Sequence, residues 1–349
     1  MINTETVVIT DEILKYISEI DEFKGKWSAL GRLSPQRISA LLRVATIESI
    51  ASSTRIEGCR LTDTQVEALL QNLSAGSFLS RDEQEVAGYA TVMETVFESY
   101  QCINITENVI KQFHRDLLQY SDKDTRHRGE YKKTSNSVEA FDTEGESLGI
   151  IFKTAAPFDT PRLMKELLDW YNEELKLAKM HPLLITAIFA VVFLEIHPFQ
   201  DGNGRLSRIL STLMLLKFGY SYVPYSSMES IIEQNKDNYY LALRRSQQTI
   251  RTDTPDWQPW ILFFLQSAHS QKNHLQMKLE RERIFIAAMP ELSLQIIEII
   301  KSHGRCSVKN LSEVTGRSRN TIKHHLSRLV ETEQIVKHGA GRGTWYSIV

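Results

Sequence analysis

The sequence predicts a mainly α-helical protein. Apolar residues recur at helical spacing along most of the 349 residues, and the main break in that period lies between Tyr131 and Pro161. Alternation suited to a hairpin then returns from Ile335 onward, around a glycine-rich turn. The chain reads as a helical region over 1–105, a helical core over 106–288 and a small C-terminal domain over 289–349.

Composition is that of a soluble globular protein, with 42% hydrophobic and 24% charged residues and a formal net charge of −2. Overall charge therefore carries no sign of nucleic-acid binding. Cys59, Cys102 and Cys306 are odd in number and widely spaced, which speaks against a disulfide scaffold or a zinc cluster and for a reducing cytoplasm. The N-terminus lacks a signal-peptide pattern. The most apolar run, Pro182–Ile196, is shorter than the roughly 20 residues that span a bilayer, so no membrane partner is expected.

In chain order, Asp11 to Ile20 forms a small amphipathic helix. Ser34-Pro35 starts another, because serine caps and proline fits a first turn, and Ile38, Leu41, Leu42, Ala45, Ile47 and Ile50 carry it to Arg55. Glu57-Gly58 follows as a carboxylate and a glycine stop; the helix dipole disfavours an anion there, which points to a cationic partner. Helices follow at Leu61–Leu70, Arg81–Tyr100 and Thr106–Tyr120, the last with His114 in a structural place. Short strand-like runs end in Ile150-Ile151-Phe152, and a helix runs from Pro161 to Lys176. A long helix spans Ile261 to Ala288 and breaks at Met289-Pro290.

Chemistry concentrates in the polar stretch from His197 to Arg208. Pro182 opens the apolar helix before it and Pro198 ends that helix, leaving His197 at a helix end. Leu206, Ile209, Leu210, Leu213 and Met214 mark the next helix, Arg205 to Phe218. Between them Gly202 and Gly204 let backbone N–H groups converge at a helix start, an arrangement that binds anions. Arg205 and Arg208 share a face and reach a polyphosphate, Asp201 offers a carboxylate to Mg²⁺, and His197 takes up a proton near neutral pH. Singly, each is an ordinary cap, turn or surface arginine. P-loop, dinucleotide and EF-hand patterns all fail on the residues present. Together, within twelve residues, they read as a nucleotide site with its own base.

His197-Pro198-Phe199-Gln200-Asp201-Gly202-Asn203-Gly204-Arg205-Leu206-Ser207-Arg208 resembles the Fic domain signature, His-Pro-Phe-x-Asp-Gly-Asn-Gly-Arg-x-x-Arg, at every fixed position. The resemblance implies a helical core that binds ATP and Mg²⁺ and transfers AMP to a hydroxyl of a protein target, releasing pyrophosphate. It makes His197 the base and Asp201 the metal ligand, sets Gly202, Asn203, Gly204, Arg205 and Arg208 on the phosphates, and makes Phe199 a core anchor. Ser53-Thr54-Arg55-Ile56-Glu57-Gly58 resembles the family's inhibitory motif, Ser/Thr-x-x-x-Glu-Gly. Glu57 is accordingly expected to pair with Arg208, through two parallel hydrogen bonds, and hold the enzyme off.

Gly129-Glu130-Tyr131 resembles a further family element, and Ile151-Phe152-Lys153-Thr154 aligns with a β-hairpin flap that holds the target segment. Tyr239, Tyr240 and Gln247 match the region that closes over adenine. The resemblance also suggests a homodimer. Relatives that move phosphoryl, UMP or phosphocholine groups, or remove AMP with the equivalent glutamate, keep those reactions open as alternatives.

Residues 289–349 look like a winged helix-turn-helix domain. Its recognition helix exposes Arg319, Asn320, Lys323, His324 and Arg328, with Arg342 on the wing. Residues 291–349 carry a net charge of +4 against −6 for the rest, which favours DNA phosphates. Winged helices also serve in dimerisation and protein docking. A DNA-binding regulator whose Fic core senses nucleotide is the second reading.

Overall fold

The computed structural model describes residues 2–29, 35–73, 78, 80–141, 147–287, 289–332 and 334–348; for residues 29, 35–37, 137–141, 147–153, 282–287 and 342 it describes the backbone only. The chain divides into two compact units, Met1–Leu275 and Gln276–Val349. The first begins with α1 (Asp11–Ala29), α2 (Pro35–Ile56), α3 (Asp63–Gln71), α4 (Arg81–Ser99) and α5 (Glu107–Leu117). The hairpin β1 (Ser137–Phe141) and β2 (Ser147–Lys153) follows, then α6 (Thr160–Leu177), α7 (Pro182–Ile196), α8 (Asn203–Lys217), α9 (Met228–Gln234) and α10 (Lys236–Gln247). Helix α11 (Gln258–Ala287) continues into the second unit.

Local chemistry sets the helix ends. Thr62 with Gln65, and Ser80 with Glu83, close capping boxes at the starts of α3 and α4. Helix α7 is the pivot of the first unit: every residue from Leu183 to Ile196 is buried, and α6, α8 and α10 pack on it. Burial of each large aliphatic side chain there contributes about 1.5–3 kcal/mol. Helices α4 and α5 approach so closely that a methyl group at Gly88 would overlap the Leu117 carbonyl.

Several boundaries differ from the sequence expectation, among them the end of α5 at Leu117 rather than Tyr120, and three have a visible cause. Helix α1 runs nine residues past Ile20, because Phe23 and Trp27 pack on Tyr222 and Tyr225. Helix α8 begins at Asn203, since Gly202 takes the left-handed φ of 79° and turns the chain into the helix early. Helix α11 begins at Gln258, because Pro259 fits its first turn. The hairpin pairs antiparallel with two irregularities in register, between Val138 and Glu139 and between Ala140 and Phe141. Among the described residues no helix is long and apolar enough to cross a membrane.

The second unit holds α12 (Glu291–His303), α13 (Val308–Thr315), α14 (Arg319–Glu331), and the antiparallel pair β3 (Ile335–His338) and β4 (Trp345–Ile348). Ile296, Ile300, Leu311, Ile322, Leu326 and Ile335 form its core. Ser307 and Ser318 cap α13 and α14, and Gly316 turns the chain between them with φ 68°. Arg319, Asn320, Lys323, His324 and Arg328 are all exposed on α14. The side chain of Arg342 lies outside the described residues.

Candidate active site

His197 caps the C-terminus of α7 in the left-handed region, with φ 52° and ψ 60°, and its N–H donates to Phe193 O at 2.9 Å. A non-glycine residue there is strained and needs its surroundings to hold it. Its Nδ1 faces Leu194 O at 3.4 Å, the tautomer that leaves the lone pair on Nε2. Burial, then the Lys132 ammonium, push its pKa down to about 4, against the Leu194 carbonyl, Glu57 and Asp201. The imidazole is therefore neutral over the ordinary pH range.

Phe199 anchors the following loop, fully buried and stacked on His114 with centroids 3.8 Å apart. His114 Nδ1 accepts from Gly129 N–H at 2.9 Å, so its Nε2–H donates to Asp201 O at 3.0 Å. Burial holds this ring's pKa at about 4, in the structural place expected for it. The Asn203 side chain, expected at the phosphates, is buried and closes the loop instead. Its Oδ1 accepts from Phe199 N at 2.9 Å and its Nδ2 donates to Phe199 O at 2.7 Å. Only its backbone N–H, with those of Gly204 and Arg205, is left to an anion at the start of α8, which has no side-chain cap.

The two arginines diverge. Arg205, expected on the leaving phosphates, is 1% exposed and turns inward to Glu85 at 3.1 Å and Asp201 at 3.3 Å, because a buried guanidinium takes the carboxylates within reach. Arg81, in the first turn of α4, reaches Asp201 Oδ2 at 3.1 Å. Burial opposes ionisation of Asp201, but Arg205, the Gly202 amide and Arg81 hold its carboxyl below the ordinary value.

Arg208 instead turns to α2. Its Nε donates to Ser53 Oγ at 2.8 Å, and its Nη2 to Ser53 O at 2.9 Å and to Glu57 Oε1 at 2.8 Å. Glu57 thus makes one hydrogen bond to Arg208 rather than the two parallel ones expected, because Nε is taken by Ser53. Burial penalises the charge of Arg208, but Glu57, Tyr239 and Tyr89 together raise its pKa above the ordinary arginine value. Arg208 Nη1 is buried without a hydrogen bond among the described residues, 3.3 Å from the place a Gly204 Cβ would take. The same Cβ would overlap the Glu57 carboxylate. A carboxylate therefore sits over the first turn of α8, where an incoming anion would sit.

Tyr239, expected against adenine, is 3% exposed and packs its ring with Trp260 and Phe263 at 5.7 Å each, with its hydroxyl toward Arg208. Tyr240 is half-buried and edges Tyr239. Gln247 is buried, and neither amide atom has a hydrogen bond among the described residues. A cavity of about 30 Å³ beside Arg208, Tyr239 and Glu229 holds a water-sized group, not a base. The side chains of Ile151, Phe152 and Lys153 lie outside the described residues; Thr154 is half-buried at the base of the hairpin. Sequence reasoning missed Arg81, Glu85 and Lys132. No local pattern marks them, since each meets the site across at least 64 residues of chain.

This layout defines a helical protein that sets a histidine at one helix end beside the uncapped N-terminus of the next helix. Residues 104–215 match the Fic/DOC family and residues 289–336 the winged helix-turn-helix DNA-binding family. The chain carries a Fic/DOC family domain followed by a winged helix-turn-helix unit. Protein adenylyltransferase Fic of Drosophila grimshawi is 30% identical over 251 residues, covering 70% of this chain and 47% of that protein. The protein of that name from Drosophila willistoni is 30% identical over 215 residues, covering 60% and 39%. The chain spans less than half the length of these curated relatives. A Fic family protein from Desulfovibrio desulfuricans shares the fold with TM-score 0.62 and 24% identity, over 99% of this chain and 98% of that one. A Fic domain containing signaling protein from Bacteroides thetaiotaomicron gives TM-score 0.59 and 25% identity, over 73% and 94%.

Proposed function

We propose that this chain is a self-inhibited protein adenylyltransferase that moves AMP from ATP to a hydroxyl side chain of a protein. The observation that carries the reading is the Glu57 carboxylate, bonded to Arg208 and seated over Gly204 at the uncapped start of α8. With Glu57 withdrawn, Arg208 Nη1 and the first amides of α8 would receive the terminal phosphates. The target hydroxyl would pass its proton to His197 Nε2 as its oxygen attacks the α-phosphorus. The bond from that phosphorus to the bridging oxygen breaks, and pyrophosphate leaves with the electron pair.

Arg205, paired with Asp201, would orient that carboxylate. Among the described residues no three His, Cys, Asp or Glu side chains converge on a metal position. A Mg²⁺ would therefore take Asp201 and the phosphate oxygens, offsetting phosphate charge, once the half-exposed Arg81 releases the carboxylate. The unsatisfied amide of Gln247 suits the edge of a base, which would relieve its desolvation.

The test is incubation of wild type, Glu57→Gly and His197→Ala with ATP labelled at the α-phosphate, followed by mass analysis. An AMP adduct strong in Glu57→Gly, weak in wild type and absent in His197→Ala is expected. ATP binding without an adduct in any of the three would favour a nucleotide-sensing DNA regulator. That second reading is supported by the exposed Arg319, Lys323 and Arg328 on α14. Arg319→Ala should then weaken DNA binding in a salt-dependent mobility shift.

A further inference from the structure

Lys132 is 3% exposed, a rare place for a lysine, and its three ammonium hydrogens all have acceptors. Nζ donates to Asn136 Oδ1 at 2.9 Å, to Thr154 Oγ1 at 2.8 Å and to Ile196 O at 3.1 Å. Its backbone N–H donates to Pro198 O at 2.9 Å. Lys132 therefore grips the carbonyl before His197 and the carbonyl after it. The residue so bracketed, His197, is one of two non-glycine residues, with Ala178, that take the left-handed region among the described residues.

The other two acceptors belong to the base of the hairpin. Asn136 immediately precedes β1 and Thr154 immediately follows β2. The Thr154 hydroxyl also bonds Asn136 O, Asn136 Nδ2 donates to Phe199 O at 2.8 Å, and Thr134 donates to Gln200 at 2.9 Å. The bond between Thr154 and Asn136 closes the hairpin base itself, while those from Asn136 Nδ2 and Thr134 join that base to the loop 196–200.

We propose that Lys132 is a positioning residue for the transfer reaction, which clasps the base of the β1–β2 hairpin to the carbonyls of the residues on either side of His197, Ile196 and Pro198. The hairpin and the base then hold one relative geometry. This rests on the adenylyltransferase reading above. The ammonium lies at the C-terminus of α7, where the helix dipole and Glu195 favour a cation. Burial lowers its pKa to about 8, so all three hydrogens are in place at neutral pH.

The experiment compares Glu57→Gly with Glu57→Gly/Lys132→Met, measuring initial rates of self-labelling with α-labelled ATP and amide hydrogen exchange. The double variant should lose about 100-fold in kcat, as misplacing a base by about an ångström does, with KM for ATP changed by no more than about twofold. Exchange should rise at least about tenfold in both 147–154 and 193–201, and stay at the parent level in α4 and α11. Unchanged kcat, loosening of only one segment, or faster exchange throughout the unit would overturn the proposal. Should Lys132→Met not fold, Thr154→Val removes one acceptor at nearly constant volume and should give the same pattern at smaller amplitude; the parent pattern there overturns it equally. If Glu57→Gly labels nothing, the transferase reading falls, and the paired exchange alone decides whether Lys132 joins hairpin and loop.

Discussion

Glu57→Gly is the perturbation most closely defined by the structure. Glu57 is the first residue beyond α2, with its N–H bonded to Thr54 O at 3.0 Å, so glycine there leaves the helix intact. What is lost is one charge-assisted hydrogen bond of 2.8 Å to an arginine side chain only 6% exposed. Such a bond contributes about 1.5–3 kcal/mol, toward the lower end here because the Glu57 side chain keeps 31% of its surface in water. A phosphate oxygen settling over Gly204 must first displace this carboxylate. Removing it should therefore tighten ATP binding by about 10- to 30-fold. Calorimetric titration of His197→Ala and Glu57→Gly/His197→Ala with ATP would separate binding from turnover. Without ATP the glycine variant should melt lower, and ATP should restore more stability to it than to its parent. Equal dissociation constants in the two proteins, within about twofold, would refute the occlusion argument.

Three further outcomes follow from buried groups. Because burial and Lys132 hold His197 near 4 rather than 6.5, the acid limb of kcat/KM for Glu57→Gly should lie near pH 4, and a limb at 6.5 in the rate profile would contradict it. His114 is also held near 4, so between 6.5 and 4 the unfolded chain binds a proton that the folded chain refuses. Its contribution is full above pH 6.5 and lost as pH falls, by about 3 kcal/mol over that window; His114→Phe should flatten the decline in urea unfolding between pH 7 and 4.5. Gly88→Ala drives a methyl group into the Leu117 carbonyl and should cost about 1–3 kcal/mol, read from the urea midpoint.

What the sequence by itself determined about this protein is local. Pro198 sets where α7 stops, whereas the start of α8 just after Gly202 lies two residues before the expected Arg205. The serines and threonines that open α3, α4, α13 and α14 cap within one turn, a local effect that needs no distant partner. The cluster from His197 to Arg208 was legible for the same reason. The pairing of Glu57 with Arg208 was not in the spacing at all: it came from the resemblance of Ser53–Gly58 to an inhibitory motif.

Tertiary structure alone decided the direction of each polar side chain. Arg205 and Arg208 sit three apart on one helix, yet one meets Glu85 on α4 and the other Ser53 and Glu57 at the end of α2. Asn203 serves Phe199 rather than an anion, Tyr239 joins an aromatic core, and Lys132 finds the carbonyls of Ile196 and Pro198 on either side of His197. The physical reason is common to all of them. A buried charge or amide must find a partner, and which partner it meets depends on how helices distant in sequence dock. Periodicity fixes the face a residue occupies, while only packing decides what stands opposite that face.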